Sequence, residues 1–209
     1  MQVIRVISSE NLKQAIKLAK NVIERGGLII YPTDTVYGLG ADPFNVRAVE
    51  RIFQVKRRPK KPLPILASSI SNVLRICELD ETAIKLVRNF WPGALTIVVK
   101  RKEGVLPSIV TAGMDSVGVR IPNHEVALKI IDACGGLLIG TSANISGHKP
   151  PRTAEEAIDE LGDLVDLVID SGPAPLGKPS TVINLTVSPP VIEREGVINA
   201  EDILKVLRT

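Results

Sequence analysis

The sequence predicts a mixed α/β fold on the border with α+β: one domain over residues 1–209, its twisted, largely mixed or antiparallel sheet flanked by helices. Three observations predict it. Short β-rich segments alternate with segments of helical period along the chain. "STVINL" and "PVIER" lie close in sequence and read as an antiparallel pair, so the sheet is mixed. The 209 residues, 44% of them apolar, suffice for one substantial core, and no repeat or low-complexity stretch marks a boundary.

Each element has its own signal. "QVIRV" reads as a strand. "SENLKQAIKLAKNVIERGG" sets Leu12, Ile16, Ala19 and Ile23 on one helical face and stops at Gly26-Gly27. "LIIY" is a buried strand broken by Pro32. "NVRAVERIFQVK" is a helix capped by Asn45, with Val49, Ile52 and Phe53 inward, ending before Pro59. "PILA" is a short strand. "DETAIKLVRNF" is a helix capped by Asp80 and stopped by "WPG". "ALTIVVK" and "SVGVRIP" are strands, and Asn123 caps a helix running to about Ala133. "GLLIG" is a strand feeding "TSANISG". Thr153 and Glu156 form a capping box for "TAEEAIDEL". "LVDLVID", "STVINL" and "PVIER" are strands, "SGPAPLGKPS" is a loop, and "NAEDILKVLR" is a closing helix.

Composition narrows the functional classes. A net charge of +3 is mildly basic, weaker than expected of a protein living on a nucleic-acid backbone, and leaves room for occasional RNA contact. Cys77 and Cys134 form no CxxC and no His–Cys spacing, so neither a disulfide framework nor a zinc site is expected. The opening residues lack a signal-peptide layout, and the apolar runs are too short to span a bilayer. The expectation is a soluble, cytoplasmic protein.

Four loops carry polar chemistry. In "YPTDTVYGLG", residues 31–40, two threonines flank Asp34 and two glycines permit close ligand approach. In "KRRPKKPL", residues 56–63, Lys56, Arg57 and Arg58 sit at a helix end, where the macrodipole favours cations. Prolines then fix the shape of the run, letting Arg58 fork onto phosphate oxygens with Lys56 as a point charge. "GTSANISG", residues 140–147, resembles a nucleophile elbow only as G-x-S-x-N. No histidine is placed to complete a triad, so it reads as a loop that binds oxygens. In the fourth, "GKPSTVINL" with "EREG", Ser180 stands at a strand mouth and Arg194 ends the partner strand. Taken singly, each reads as a polar turn, a solvated basic run or a surface arginine.

Other signatures are absent. The chain has no GxGxxG, no GxxxxGK[ST], no dense carboxylate cluster and no Cys–His or Ser–His–Asp arrangement. Hydroxyls, cations and glycines suit a reaction whose ligand brings its own nucleophile and leaving group. The protein then supplies position and charge neutralisation, as in phosphoryl or nucleotidyl transfer.

Together the loops resemble the YrdC-like family, the threonylcarbamoyl-AMP synthases of tRNA modification. The matching stretches, in order, are "GGLIIYPTDTVYGLGAD", "IFQVKRRP", "FWPGALTIVV", "VGVRIPNH", "GTSANISG", "PSTVINL" and "IEREG", spanning residues 26–196. The resemblance implies a twisted α/β sheet with a positively charged concave face. It also implies a reaction of L-threonine, bicarbonate and ATP that gives threonylcarbamoyl-AMP and pyrophosphate. Partner proteins would then pass the threonylcarbamoyl group to adenosine 37 of tRNA.

The resemblance also implies residue roles. Thr35, Arg120, Thr141 and Ser180 would bind threonine. Lys56, Arg58, Lys61, Thr111, Ser142, Asn144 and Arg194 would bind ATP, with Lys56 and Arg58 offsetting charge on the departing pyrophosphate. Mg²⁺ would arrive with ATP, and no protein ligand is assigned to it. Where many relatives carry a histidine after the basic run, this chain has Leu66 nearest and a segment one residue shorter. The chain resembles the short form, without the further C-terminal domain of longer relatives, and a monomer or weak homodimer is expected. Asp34 is expected to orient Thr35 or a metal-bound water.

Two other readings stand beside this one. The first is a non-catalytic RNA-binding module, which the 3% aromatic content disfavours because it leaves few stacking platforms. The second is a carbamoyl-transfer domain like that of hydrogenase maturation enzymes, which sit in much longer chains.

Overall fold

The computed structural model describes residues 1–208. The elements are β1 (Gln2–Arg5), α1 (Ser9–Glu24), β2 (Ile29–Tyr31), β3 (Gly38–Gly40), α2 (Val46–Val55), β4 (Ile65–Ala67), α3 (Ile70–Ile76), α4 (Glu81–Phe90), β5 (Leu95–Lys100) and α5 (Ser108–Thr111). They continue with β6 (Ser116–Arg120), α6 (Glu125–Ala133), β7 (Leu137–Ile139), β8 (Thr141–Ser142), α7 (Ala154–Leu161), a 3₁₀ turn (Gly162–Leu164), β9 (Leu167–Asp170), β10 (Thr181–Asn184), β11 (Val191–Arg194) and α8 (Ala200–Arg208).

The class is mixed α/β, as the alternation predicts, but the strands divide between two sheets. One has the order β1-β9-β2-β3-β8 and the other β11-β10-β5-β6-β4-β7. Both are mixed: β1, β9 and β2 run parallel and β3 turns back on β2, while β10 is parallel to β5 and antiparallel to β11. The chain crosses between the sheets at Gly140. The Ile139 amide donates to the Ala41 carbonyl at 3.0 Å and the Gly140 amide to the Pro64 carbonyl at 2.9 Å. A Cβ on Gly140 would run into the Leu66 side chain, so any larger residue at this corner must displace Leu66.

Helix α1, through Ala15, Ala19 and Ile23, and helix α6, through Ala127, Ile130 and Ile131, share a core with Ile29, Tyr31 and Ile169 of the first sheet and Leu138 of the second. The larger core joins α2, α4, α7 and α8 to the apolar faces of β5, β6 and β10. Asn45, Asp80 and Thr153 cap their helices as their chemistry predicts, accepting from Ala48, Ala83 and Glu156 at 3.1, 2.7 and 3.2 Å. The second half of the box at Thr153 shifts by one residue, since the Glu156 carboxylate takes the Arg152 amide at 2.6 Å.

At α6 the cap is His124, not Asn123. His124 Nδ1 accepts from the Ala127 amide at 3.3 Å, so the ring, one residue later, reaches the third helical amide. Strands β3 and β8 and helices α3 and α5 lie in stretches read from sequence as loop or left unassigned. Each is short, and β3 is two-thirds glycine, so tertiary pairing rather than local propensity makes it.

Candidate active site

Period-two alternation in the second sheet builds the floor of a cavity. Leu95, Ile97 and Val99 of β5, Val117 and Val119 of β6 and Ile183 of β10 enter the core. Their neighbours Thr96, Val98, Ser116, Gly118, Arg120, Val182 and Asn184 face the other way and line a cavity of about 360 Å³. Register sets Val182 beside Thr96 and Leu66 beside Arg120. The opposite wall comes from the first sheet: the β2–β3 loop with Thr33, Thr35 and Tyr37, and β8 with Thr141 and Ser142. Thr33 holds that loop in shape, its hydroxyl accepting the amides of Thr35 and Val36 at 3.1 and 3.3 Å.

Of the residues assigned roles from sequence, Thr35, Arg58, Arg120, Thr141, Ser142, Ser180 and Arg194 line this cavity. Lys56, Lys61, Thr111 and Asn144 are not among its lining residues. Thr111 is buried on α5, its hydroxyl donating to the Ser108 carbonyl at 3.4 Å. Lys61 is exposed in the segment between α2 and β4. Leu66 is buried and forms part of the floor. Thr96, Ser116, Asn184 and Glu193 also line the cavity. The alternation in "LTIVVK", "SVGVR" and "STVIN" carried that signal for the first three.

The basic run splits three ways. Helix α2 ends at Val55, and Arg57 takes a left-handed φ of 48°, so its neighbours diverge. Arg57 is exposed. Arg58 turns into the cavity, its Nη2 donating to the Pro62 carbonyl at 3.2 Å, while its buried Nε has no hydrogen-bond partner. Lys56 is 1% exposed and points beneath the 142–148 loop. Its ammonium donates to the carbonyls of Ser142 and Asn144, the latter at 2.7 Å, and its own carbonyl accepts the Ser146 amide at 2.9 Å. Burial first, then the Arg58 charge, pull the Lys56 pKa down to about 7, and Glu160 opposes them.

The same loop is pinned from outside. The Glu160 carboxylate accepts the Ile145 amide and contacts His148 Nδ1, both at 3.0 Å. The Asn144 amide donates to the Ile145 and His148 carbonyls, each at 2.8 Å, and its buried Oδ1 is without a partner. Ser142 is thereby presented to the cavity by a loop braced on both sides.

Three guanidiniums, Arg58, Arg120 and Arg194, converge on the cavity. Burial lowers the pKa of all three, and at Arg194 the charges of Arg120 and Arg58 add to it. Arg120 pairs with Asp34, donates from Nη1 to Thr35 Oγ1 at 2.9 Å and from Nε to the Gly93 carbonyl at 2.9 Å. Asp34 thus reaches Thr35 through Arg120, and its buried Oδ2 has no partner. Arg194 grips the Ser180 carbonyl from Nε and Nη2 at 3.1 and 2.9 Å, and Ser180 Oγ lies 2.8 Å from Thr96 Oγ1. Arg120 is matched by Asp34, but among the described residues Arg58 and Arg194 have no carboxylate within ion-pair distance, and two such cations at one cavity favour an anionic ligand. Among the described residues no group of three or more His, Cys, Asp or Glu is set to hold a metal, and no helix is long and apolar enough to cross a membrane.

The family model for Sua5, YciO and YrdC proteins, described as telomere recombination, matches residues 21–196. The chain is 41% identical over 194 residues to the threonylcarbamoyl-AMP synthase of Pyrococcus abyssi, covering 92% of this chain and 57% of that one. It is 36% identical over 200 residues to a putative threonylcarbamoyl-AMP synthase of Mycobacterium tuberculosis, covering 95% of this chain and 91% of that one. Among solved structures, P. abyssi Sua5 in complex with L-threonine superposes with a TM-score of 0.92 at 39% identity, over 99% of this chain and 61% of that one. The chain therefore spans little more than half of the Pyrococcus relative. With most of its length inside the family match and its fold superposed on a family structure, the chain belongs to the Sua5/YciO/YrdC family.

Proposed function

We propose that the chain is an L-threonylcarbamoyladenylate synthase, converting L-threonine, bicarbonate and ATP to threonylcarbamoyl-AMP and pyrophosphate. The observation that carries this reading is the convergence of Arg58, Arg120 and Arg194 on one hydroxyl-lined cavity of about 360 Å³, a size that suits a small-molecule ligand. The Pyrococcus Sua5 bound to L-threonine supports the amino-acid half.

The neutral threonine amine attacks carbon dioxide formed from bicarbonate and loses a proton, giving a carbamate. A carbamate oxygen attacks the α-phosphorus of ATP, and the bond to the pyrophosphate oxygen breaks. The attacking oxygen is already anionic, so this step needs no protein base. Arg120, held by Asp34, faces the threonine carboxylate beside Thr35 and Thr141. Arg58 and Arg194 offset charge on the phosphates, with Mg²⁺ entering as part of the MgATP substrate. Lys56 acts as a positioning residue, keeping Ser142 turned to the nucleotide through the loop carbonyls it holds. The product goes on to threonylcarbamoyl transfer onto tRNA, directly or through partner proteins.

The test is pyrophosphate release from ATP and bicarbonate, with and without L-threonine. Threonine-dependent release is expected. Release unaffected by threonine, or none, sinks the reading.

A further inference from the structure

We propose that Glu193, oriented by Asn184, is a specificity-determining residue that accepts hydrogen bonds from the ribose hydroxyls of the nucleotide. The inference rests on the ATP reading above and names a further contact within it.

A β-bulge creates this feature. In the β10–β11 pairing Val182 lies opposite Arg194 and Ile183 opposite Ile192, so Glu193 is the extra residue with no partner across the ladder. Ile192 packs against the core. Strict alternation from Ile192 would send Glu193 toward the cavity and Arg194 back toward the core. The bulge keeps both on the cavity side, and both line it. A carboxylate and a guanidinium, adjacent in sequence, thus face one ligand.

Asn184 fixes the carboxylate. Its Nδ2 donates to Glu193 Oε1 at 2.8 Å. Its own Oδ1 is taken by the Thr186 amide and hydroxyl at 2.8 and 2.7 Å, so its amide group must face Glu193. The pair therefore offers the ligand carboxylate acceptor capacity. A carboxylate repels phosphate and wants donors, and hydroxyls of a sugar supply them.

Position selects the ribose. Along β6 the floor runs from Arg120 past Gly118 to Ser116, roughly 13 Å at the usual strand rise. Arg120 and Thr35 mark the threonine end. Val182 lies beside Thr96 toward the Arg120 end, Asn184 lies across Val98 from Gly118 one residue pair further along with Glu193 hydrogen-bonded to it, and Ser116 closes the far end. Arg194, one residue from Glu193, takes the phosphates, and the sugar is the group joined directly to the α-phosphate. The amino group of the base lies a full ring system further on.

The experiment compares ATP, 2′-deoxy-ATP, 3′-deoxy-ATP and purine riboside triphosphate in threonine-dependent pyrophosphate release by the wild type and by Glu193→Gln and Asn184→Ala. The wild type is expected to prefer ATP over the deoxy analogues by about tenfold or more in kcat/KM, the scale of hydrogen bonds to a charged acceptor. Glu193→Gln, nearly isosteric, should erase most of that preference, and Asn184→Ala should weaken it, with the threonine KM unchanged in both. A deoxy preference untouched by Glu193→Gln overturns the inference while leaving the ATP reading standing. So does loss of discrimination against the purine analogue alone. A wild type that turns over no ATP overturns both.

Discussion

Asp34 and Arg120 form an ion pair buried in the cavity wall, each side chain 6% exposed, and the same guanidinium reaches Thr35 and the Gly93 carbonyl. One carboxylate therefore holds the cation that the proposed reaction sets at the threonine end. Removing it leaves a buried charge unmatched. Asp34→Ala should lose about 3–5 kcal/mol of stability and most threonine-dependent turnover. Urea denaturation and pyrophosphate assays check both, and unchanged pyrophosphate release would remove Asp34 from the mechanism.

Lys56 yields a pH prediction. Its pKa is about 7 in the folded chain against an ordinary value of 10.5. Between those values the unfolded chain holds the proton and the folded chain does not, so stability rises with pH across that window. Below pH 7 both states are protonated and this contribution is flat at its least favourable level. Urea midpoints at pH 6.5 and 9.5 should therefore climb more for the wild type than for Lys56→Met. An equal or smaller climb in the wild type would show that the ammonium is not depressed.

Arg194 places Nε and Nη2 together on the Ser180 carbonyl, a fork that lysine cannot reproduce. Arg194→Lys should keep the charge but raise the ATP KM about tenfold, the scale of one charge-assisted hydrogen bond. Steady-state kinetics at fixed threonine reads this directly. A wild-type KM in the lysine variant would reduce the role to charge alone.

Gly140 and Leu66 meet where the chain passes between sheets. Gly140→Ala should cost about 1–3 kcal/mol by overpacking, and Leu66→Ala in the same chain should recover part of it. A double mutant no more stable than the sum of the single changes would show that the two residues do not press on each other.

What was legible in the sequence follows from the range of each interaction. The caps at Asn45, Asp80 and Thr153 were readable because a cap and its amide lie three residues apart. The cavity-facing Thr35, Arg58, Arg120, Thr141, Ser142, Ser180 and Arg194 were found through the family's ordered loops, since no local pattern says that they meet. The fate of Lys56 was not readable, because its carbonyl partners lie 86 and 88 residues away. Nor was the division into two sheets, which rests on pairings between residues far apart in sequence, such as Gly38 with Ser142 and Leu66 with Leu138. The bulge that aims Glu193 depends on the register of β11 against β10, which the composition of neither strand reveals.

The decisive measurement is the mass of the nucleotide made from ATP, ¹³C-bicarbonate and ¹⁵N-threonine. A cavity that joins all three substrates gives one adenylate carrying both labels, formed in step with pyrophosphate. An adenylate carrying the carbon label without threonine, or AMP carrying neither, would contradict it.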